Sequence, residues 1–182
     1  MNRNLRAGTL AVILAFAAGV ASAQVTVGGS PMYKNKDIID NAVQSKDHTT
    51  LVAAVKAAGL VDTLKGPGPF TVFAPTNAAF SALPAGTVDT LLKPENKGQL
   101  VKVLTYHVIP GKMSGKDLWA RVKAGGGKTM LKTAAGEELT VSAMGSTLML
   151  SGVGGGMGHV TIADVNQSNG VIHVIDGVIL PK

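Results

Sequence analysis

The spacing of hydrophobic residues changes from a helical period to strand-like alternation near the middle of the chain. Apolar residues recur three and four positions apart over residues 37–60 and 95–106, which predicts helices in both stretches. The first stretch has a break near residues 45–47. Thr76 is a predicted helix N-cap, and shorter helices are expected at 87–92 and 117–122. Predicted strands lie at 70–73, 129–133, 138–143, 147–151, 159–165 and 171–175. A helix-rich first half followed by a strand-rich second half indicates an α+β fold.

The first 23 residues have the three parts of an export signal. Arg3 and Arg6 precede a short apolar run at residues 10–20, and Ala21-Ser22-Ala23 forms a small-x-small cleavage site before Gln24. The run has about half the length that a bilayer span needs. We therefore predict a signal peptide at 1–23, a flexible lead-in at 24–36 and one domain at 37–182. The expected location is secreted or periplasmic, without a stable membrane anchor.

Composition narrows the possible functions. The chain has no cysteine, which excludes disulfides and thiolate chemistry. Its formal net charge is +6 from 17 basic and 11 acidic residues, and without Arg3 and Arg6 this becomes 15 − 11 = +4. Aromatic residues make up only 4%, which argues against a base-stacking surface. We predict no nucleic-acid partner.

The sequence lacks the common motifs of catalytic and metal-binding sites. There is no Gly-x-Ser-x-Gly elbow and no His-x-x-x-His spacing, and Gly127-Lys128-Thr129 lacks the earlier glycine of a phosphate-binding loop. The sequence therefore predicts a protein that is not an enzyme and has no metal site and no cofactor. One alternative stays open: a hydrolase using His159, Asp164 and His173, if their strands pair.

The segment 112–132 has the strongest charge bias. It contains a single acidic residue, Asp117, and one tryptophan, Trp119, among the basic residues Lys112, Lys116, Arg121, Lys123, Lys128 and Lys132. Two interpretations are open. The segment forms a basic face with an aromatic anchor for a polyanion or glycan, or it is a solvated surface with Trp119 turned into the core.

Three phrases resemble the signatures of fasciclin-type domains in order and spacing. They are TVFAPTNAAF at residues 71–80, LTYHVIPG at 104–111 and NGVIHVIDGVILP at 169–181. The resemblance covers about residues 37–181, and the chain is identified as a secreted, single-domain bacterial member of that family.

The resemblance implies a compact β-sandwich or wedge with helices packed alongside. It also implies extracellular adhesion or interaction, with an extracellular or envelope protein or a polysaccharide as partner. In animal relatives the Tyr-His segment is linked with receptor binding, and Tyr106 and His107 match it. The apolar surroundings of His107 and His173 in the sequence instead favour hydrogen-bonded core histidines. The candidate partner-binding residues are Tyr106, His107, Lys116, Trp119, Arg121 and Lys123.

Overall fold

The structure, a computed structural model, describes residues 24–182, and the predicted signal peptide lies outside the described residues. Its α-helices are α1 (Ile38–Ala42), α2 (Thr49–Ala58), α3 (Val61–Lys65), α4 (Asn77–Ser81), α5 (Thr87–Leu91), α6 (Lys97–Tyr106) and α7 (Gly115–Ala124). Short 3-10 turns occupy Lys46–His48 and Pro94–Asn96. No helix within residues 24–182 is long and apolar enough to cross a bilayer.

The strands form a small hairpin and one large sheet. They are β1 (Thr26–Val27), β2 (Ser30–Pro31), β3 (Phe70–Pro75), β4 (Val108–Pro110), β5 (Lys128–Lys132), β6 (Glu138–Met144), β7 (Thr147–Ser151), β8 (Met157–Gln167) and β9 (Gly170–Ile175). Strands β1 and β2 pair with each other, and the seven-stranded sheet has the order β4-β3-β9-β8-β7-β6-β5. Only β3 and β9 pair in parallel, whereas the other neighbours are antiparallel. The sheet therefore ends at β4 and at β5.

The central strands β3 and β9 are buried on both faces, which explains why β9 reads as an almost continuous apolar run. Val72 and Ile172 point into a core shared with helices α1 to α6. Phe73 and Ile175 point the other way, into a second core formed with α7 and strands β5 to β7. This arrangement confirms the predicted α+β fold with helices packed beside a sandwich-like sheet.

The predicted flexible lead-in at 24–36 needs correction. Gly28 and Gly29 have positive φ angles of 58° and 76°, which turn the chain back into the β1–β2 hairpin. Val27 and Met32, on either side of that turn, are 4% and 5% exposed and belong to the helix-side core. The lead-in is therefore folded onto the domain.

Besides the β1–β2 hairpin, α3 and β4 were not predicted, whereas the start of α4 was. Helix α3 has only five residues and follows α2 almost immediately, and β4 has three residues. Elements this short show no measurable period. The Thr76 hydroxyl accepts a hydrogen bond from the Ala79 N–H at 3.2 Å, and Gly59 ends α2 with φ 72°. The first confirms the predicted N-cap, and the second is the glycine C-cap that helices commonly use.

Candidate functional site

Helix α7 carries most of the predicted binding residues, and its sequence determines where it begins and which side is buried. The Ser114 hydroxyl accepts from the Asp117 N–H at 3.2 Å, and the Asp117 carboxylate accepts from the Ser114 N–H at 2.9 Å. This capping box pairs N–H groups that the first turn leaves free. The same bonds from Ser114 hold the pKa of Asp117 below its usual range. Leu118 and Val122 are fully buried in the second core.

The start of α7 is fixed to the sheet by two of the residues considered for catalysis. The Asp164 carboxylate accepts from the Gly115 N–H at 2.7 Å. The His173 Nε2–H donates to the Met113 carbonyl at 2.8 Å, and its Nδ1 accepts from the Asp164 N–H at 3.3 Å. Burial lowers the pKa of His173. The ring is therefore neutral, as a ring with one donating and one accepting nitrogen must be. Asp164 and His173 therefore position the helix.

The structure does not assemble His159, Asp164 and His173 into a catalytic chain. A hydrolytic triad needs one imidazole nitrogen free to take a proton and a carboxylate on the other. Both nitrogens of His173 have main-chain partners. His159 pairs with Asp176 instead of Asp164, with 3.3 Å between Nδ1 and Oδ2. The proposed grouping of these three residues is wrong.

One side of α7 carries a stripe of Lys116, Trp119 and Lys123, which we call the α7 stripe. These residues follow one another at intervals of three and four, so they are neighbours along the helix surface. Both lysines are exposed. Trp119 is half-buried and packs against the second core. Its ring is therefore held by the core while part of it stays at the surface between two ammonium groups.

Arg121 lies apart from the α7 stripe. At about 100° per residue, it is turned by roughly 140° from Lys116 and roughly 160° from Lys123. It follows Asp117 by one helical turn, and its charge contributes to lowering the pKa of Asp117. The structure thus separates Arg121 from the other predicted binding residues of the helix.

The remaining basic residues of 112–132 do not extend the α7 stripe into one continuous face. Lys128 and Lys132 alternate with the buried Leu131 along β5, so they point to the face of the sheet opposite the core. Because β5 is an edge strand, lysines at these positions disfavour pairing with another strand. Lys112 is exposed in the loop before α7. The prediction of a single basic face is wrong.

Neither lysine of the α7 stripe forms an ion pair within residues 24–182. Close contacts between basic and acidic side chains are formed in this range by Lys65, Lys102 and His159. None of them involves Lys116 or Lys123. The single acidic residue of the helix, Asp117, is already engaged by hydrogen bonds from Ser114, and the charges of Arg121 and Lys116 also contribute to lowering its pKa.

Tyr106 and His107 are inside the domain, which corrects their prediction as a binding surface. Tyr106 is 0% exposed, and its hydroxyl donates to the Glu138 carbonyl at 2.8 Å and accepts from the Val153 N–H at 3.1 Å. His107 is 2% exposed, with Nδ1 bonded to the Val103 carbonyl at 2.8 Å. Its Nε2 accepts from the Ile179 N–H at 3.2 Å.

Burial lowers the pKa of His107 to about 4. The ring is therefore neutral at physiological pH, as its pattern of one donated and one accepted hydrogen bond requires. The interpretation of His107 and His173 as hydrogen-bonded core histidines is confirmed.

An apolar cavity of about 90 Å³ lies in the helix-side core. It is lined by aliphatic side chains, and the Ser45 hydroxyl and His48 Nδ1 at its wall bond to each other at 2.8 Å. Pockets for drug-sized ligands are roughly 300–1,000 Å³. The cavity is too small for such a ligand.

One pair of residues on the other side of the sheet was not predicted. Asp176 accepts from the His159 main-chain N–H at 2.6 Å and also pairs with its ring. Asp176 thus ties the end of β9 to the main chain of β8. Asp176 lies beside the His159 ring because of the register of β8 against β9, and no local sequence pattern predicts that register.

Known proteins resemble this chain in sequence and in fold. The model of the fasciclin domain matches residues 46–181. Protein sll1483 of Synechocystis sp. is 52% identical over 144 residues, covering 79% of this chain and 73% of that protein. Cell surface glycolipoprotein MPB83 of Mycobacterium bovis is 40% identical over 122 residues, covering 67% of this chain and 48% of its own length.

A solved structure has the same fold. The FAS1 domain pair of the insect cell adhesion molecule Fasciclin I matches with a TM-score of 0.68 at 17% identity, covering 86% of this chain and 57% of that one. At this identity the likeness concerns the fold alone. Together with the family match over residues 46–181, the findings establish that this chain belongs to the fasciclin domain family.

Proposed function

We propose that this chain is an exported, non-catalytic binding module that contacts an acidic polysaccharide or protein surface through the α7 stripe. The observation that carries the proposal is the placement of two exposed lysines around a half-buried tryptophan, with no ion pair to either lysine among residues 24–182. Such a surface is complementary to a negatively charged partner.

The α7 stripe is held rigidly, which favours binding. The capping box at Ser114 and the hydrogen bonds from His173 and Asp164 fix the start of the helix. Leu118 and Val122 fix its inner side. A partner therefore meets a preorganised tryptophan, and little conformational entropy is lost at that side chain when it binds.

The relatives support a role outside the cytoplasm. MPB83 is named a cell surface protein, and the insect structural neighbour is named a cell adhesion molecule. We extend this role to the present chain, with residues 1–23 as the cleaved export signal. The test is to isolate the protein from periplasm and culture medium and to measure its mass. We expect this mass to match a chain that begins at Gln24. Recovery of uncleaved protein from the cytoplasm alone would contradict export.

Binding by the α7 stripe is tested on a column of immobilised acidic polysaccharide. We expect the purified protein to be retained at low salt and released as ionic strength rises, because screening shortens the range of exposed charges. The double variant Lys116→Glu/Lys123→Glu should elute near the void volume. Trp119→Ala should weaken retention while leaving its salt dependence unchanged.

The matched control is Lys56→Glu/Lys93→Glu, which makes the same change of net charge at exposed positions away from α7. We expect this control to retain most of its binding. Equal loss in both double variants would mean that only net charge matters and would contradict a site on α7. The same four proteins should be compared for capture of envelope proteins, where an acidic protein partner would give the same ranking.

A further inference from the structure

The outer face of strands β5 to β8 carries methionines where a solvated sheet normally presents polar side chains. Leu139, Val141, Leu148 and Leu150 point into the second core, so the residues between them face outward. These include hydroxyl residues and the methionines Met130, Met144, Met149 and Met157. Met130, Met144 and Met157 are 64%, 58% and 63% exposed. The chain has seven methionines in all, so most of them lie on this face.

The register places two of these methionines beside a histidine. Met149 on β7 lies directly opposite His159 on β8. Met157 precedes His159 by two residues on the same strand, so their side chains share a face. Opposite residues have Cβ atoms about 4.5–5.5 Å apart, and diagonal neighbours lie about 7–8 Å apart. Two thioethers and an imidazole therefore occupy one patch within reach of a common point above the sheet.

His159 is oriented as metal-bound histidines usually are. Its Nδ1 lies 3.3 Å from Asp176 Oδ2, and its main-chain N–H donates to Asp176 Oδ1 at 2.6 Å. A carboxylate beside one ring nitrogen favours the proton on that nitrogen and leaves the other nitrogen as a lone-pair donor. The His159 side chain is 40% exposed, so its Nε2 has access to an ion.

We propose that Met149, Met157 and His159 bind one Cu(I) ion on the outer face of the sheet. Thioether sulfur is a soft, uncharged ligand that favours Cu(I) over hard divalent cations, and imidazole binds copper well. The chain has no cysteine, so thioethers are its only sulfur donors. Met144 is a diagonal neighbour of Met149 and offers a further thioether at the rim.

Patterns of histidine, carboxylate and thiolate ligands do not reveal this site, because two of its three donors are thioethers. No group of three or more histidine, aspartate or glutamate side chains converges within residues 24–182. The sequence feature that indicates the site is Met157-Gly158-His159, in which a thioether and an imidazole lie on one face of a strand. The third donor, Met149, comes from the neighbouring strand and depends on the register.

The test is an anaerobic titration of the purified protein with Cu(I) in competition with bicinchoninate, whose copper complex is coloured. We expect the protein to withdraw one Cu(I) per chain. The variant Met149→Leu/Met157→Leu keeps the side-chain volume. Its affinity for Cu(I) should fall roughly tenfold or more, because the loss of even a contact that supports a ligand has an effect of about this size. Met130→Leu is the matched control, three strand spacings or about 14 Å from Met157 on the same face.

The control should bind like the unaltered protein. The proposal is overturned if the double variant competes as well as the unaltered protein, or if Met130→Leu weakens binding equally. Circular dichroism of each variant establishes that the fold is retained.

A second readout locates the ion directly. Ag(I) is a redox-inert analogue, and we expect its addition to shift the NMR signals of the Met149 and Met157 methyl groups and of the His159 ring. The methyl signals of Met130 and of Met113, which lies against the second core, should stay in place. Unchanged signals at Met149 and Met157 would overturn the proposal even if the protein takes up silver elsewhere.

Discussion

The Nε2–H of His173 donates a 2.8 Å hydrogen bond to the carbonyl oxygen of Met113, which joins a central strand of the sheet to the segment that leads into α7. The other ring nitrogen accepts from the Asp164 N–H at 3.3 Å. The Asp164 carboxylate in turn accepts from Gly115 in the first turn of α7. The orientation of the α7 stripe therefore depends on a buried neutral imidazole.

Replacing His173 by alanine should lower the free energy of unfolding by roughly 2–4 kcal/mol. The change leaves the Met113 carbonyl and the Asp164 N–H without partners and opens a cavity in the core. Urea denaturation at pH 7.5 measures the effect. His159→Ala, at a 40% exposed side chain, should cost less than about 1 kcal/mol. Similar losses in the two variants would contradict the anchoring role of His173.

Stability should fall as the pH drops from about 6.5 towards 4. Burial lowers the pKa of His48, His107 and His173, whereas histidine in an unfolded chain titrates near 6.5. The unfolded state therefore binds protons first, so the stabilisation is complete above 6.5 and is lost below it. With its pKa at about 4, His107 alone accounts for roughly 3 kcal/mol of this loss.

Urea denaturation at several pH values between 7.5 and 4.5 measures that loss. His107→Gln should flatten the pH dependence relative to the unaltered protein, whatever its effect on stability at pH 7.5. Asn35→Gln, at an exposed site, should leave the slope unchanged, because neither side chain titrates. A stability that stays constant from pH 7.5 to 4.5 would show that the buried histidines do not control it.

The parts of the fold that the sequence predicted correctly depend on neighbours close along the chain. Thr76 caps its own helix, and the hydrophobic period of residues 95–106 predicts α6. The parts that failed depend on contacts between distant segments. The position of Lys128 and Lys132 on an edge strand is one of these, since strand order is set by the whole sheet. The separation of Arg121 from the α7 stripe is not, because the helical period alone predicts it.

Asn169 illustrates the same limit, because an Asn-Gly pair such as Asn169-Gly170 is typical of a tight turn but gives no sign of distant partners. Its Oδ1 accepts from the Ile38 N–H at 3.1 Å, and its Nδ2 donates to the carbonyls of Leu64 and Gly66 at 2.7 Å and 2.9 Å. One side chain thus joins the β8–β9 turn to the start of α1 and the end of α3. These partners are more than a hundred residues away in sequence.

We expect Asn169→Ala to lower the free energy of unfolding by roughly 2–4 kcal/mol, because three main-chain groups lose their partner at a site that is 7% exposed. Asn169→Asp should cost at least as much at pH 7.5, since a carboxylate offers no N–H to the two carbonyl groups. Thermal unfolding measures both. The exposed Asn35→Ala is the control, with an expected change within about 0.5 kcal/mol. An Asn169→Asp protein as stable as the unaltered one would refute the bonding pattern.

Two helical glycines should respond in opposite ways to alanine. A Cβ at Gly115 would lie 3.2 Å from Asp164 Oδ2 and 3.4 Å from the Ala163 side chain. The Asp164 carboxylate has little freedom to yield, because it accepts from the Gly115 N–H at 2.7 Å and its own backbone is held at φ 58°. Gly98 in α6 has no atom within 4 Å of the same position. The packing around the two glycines therefore differs, although both lie in the first turn of a helix.

Gly115→Ala should lower the free energy of unfolding by about 1–3 kcal/mol through overpacking and should weaken retention on the acidic polysaccharide by displacing the α7 stripe. Gly98→Ala should raise stability by up to about 1 kcal/mol, because alanine favours the helix and restricts the unfolded chain. It should leave retention unchanged. Urea denaturation and the column experiment test both effects. If Gly115→Ala were as stable as Gly98→Ala and bound normally, the close approach of α7 to Asp164 would not be what positions the stripe.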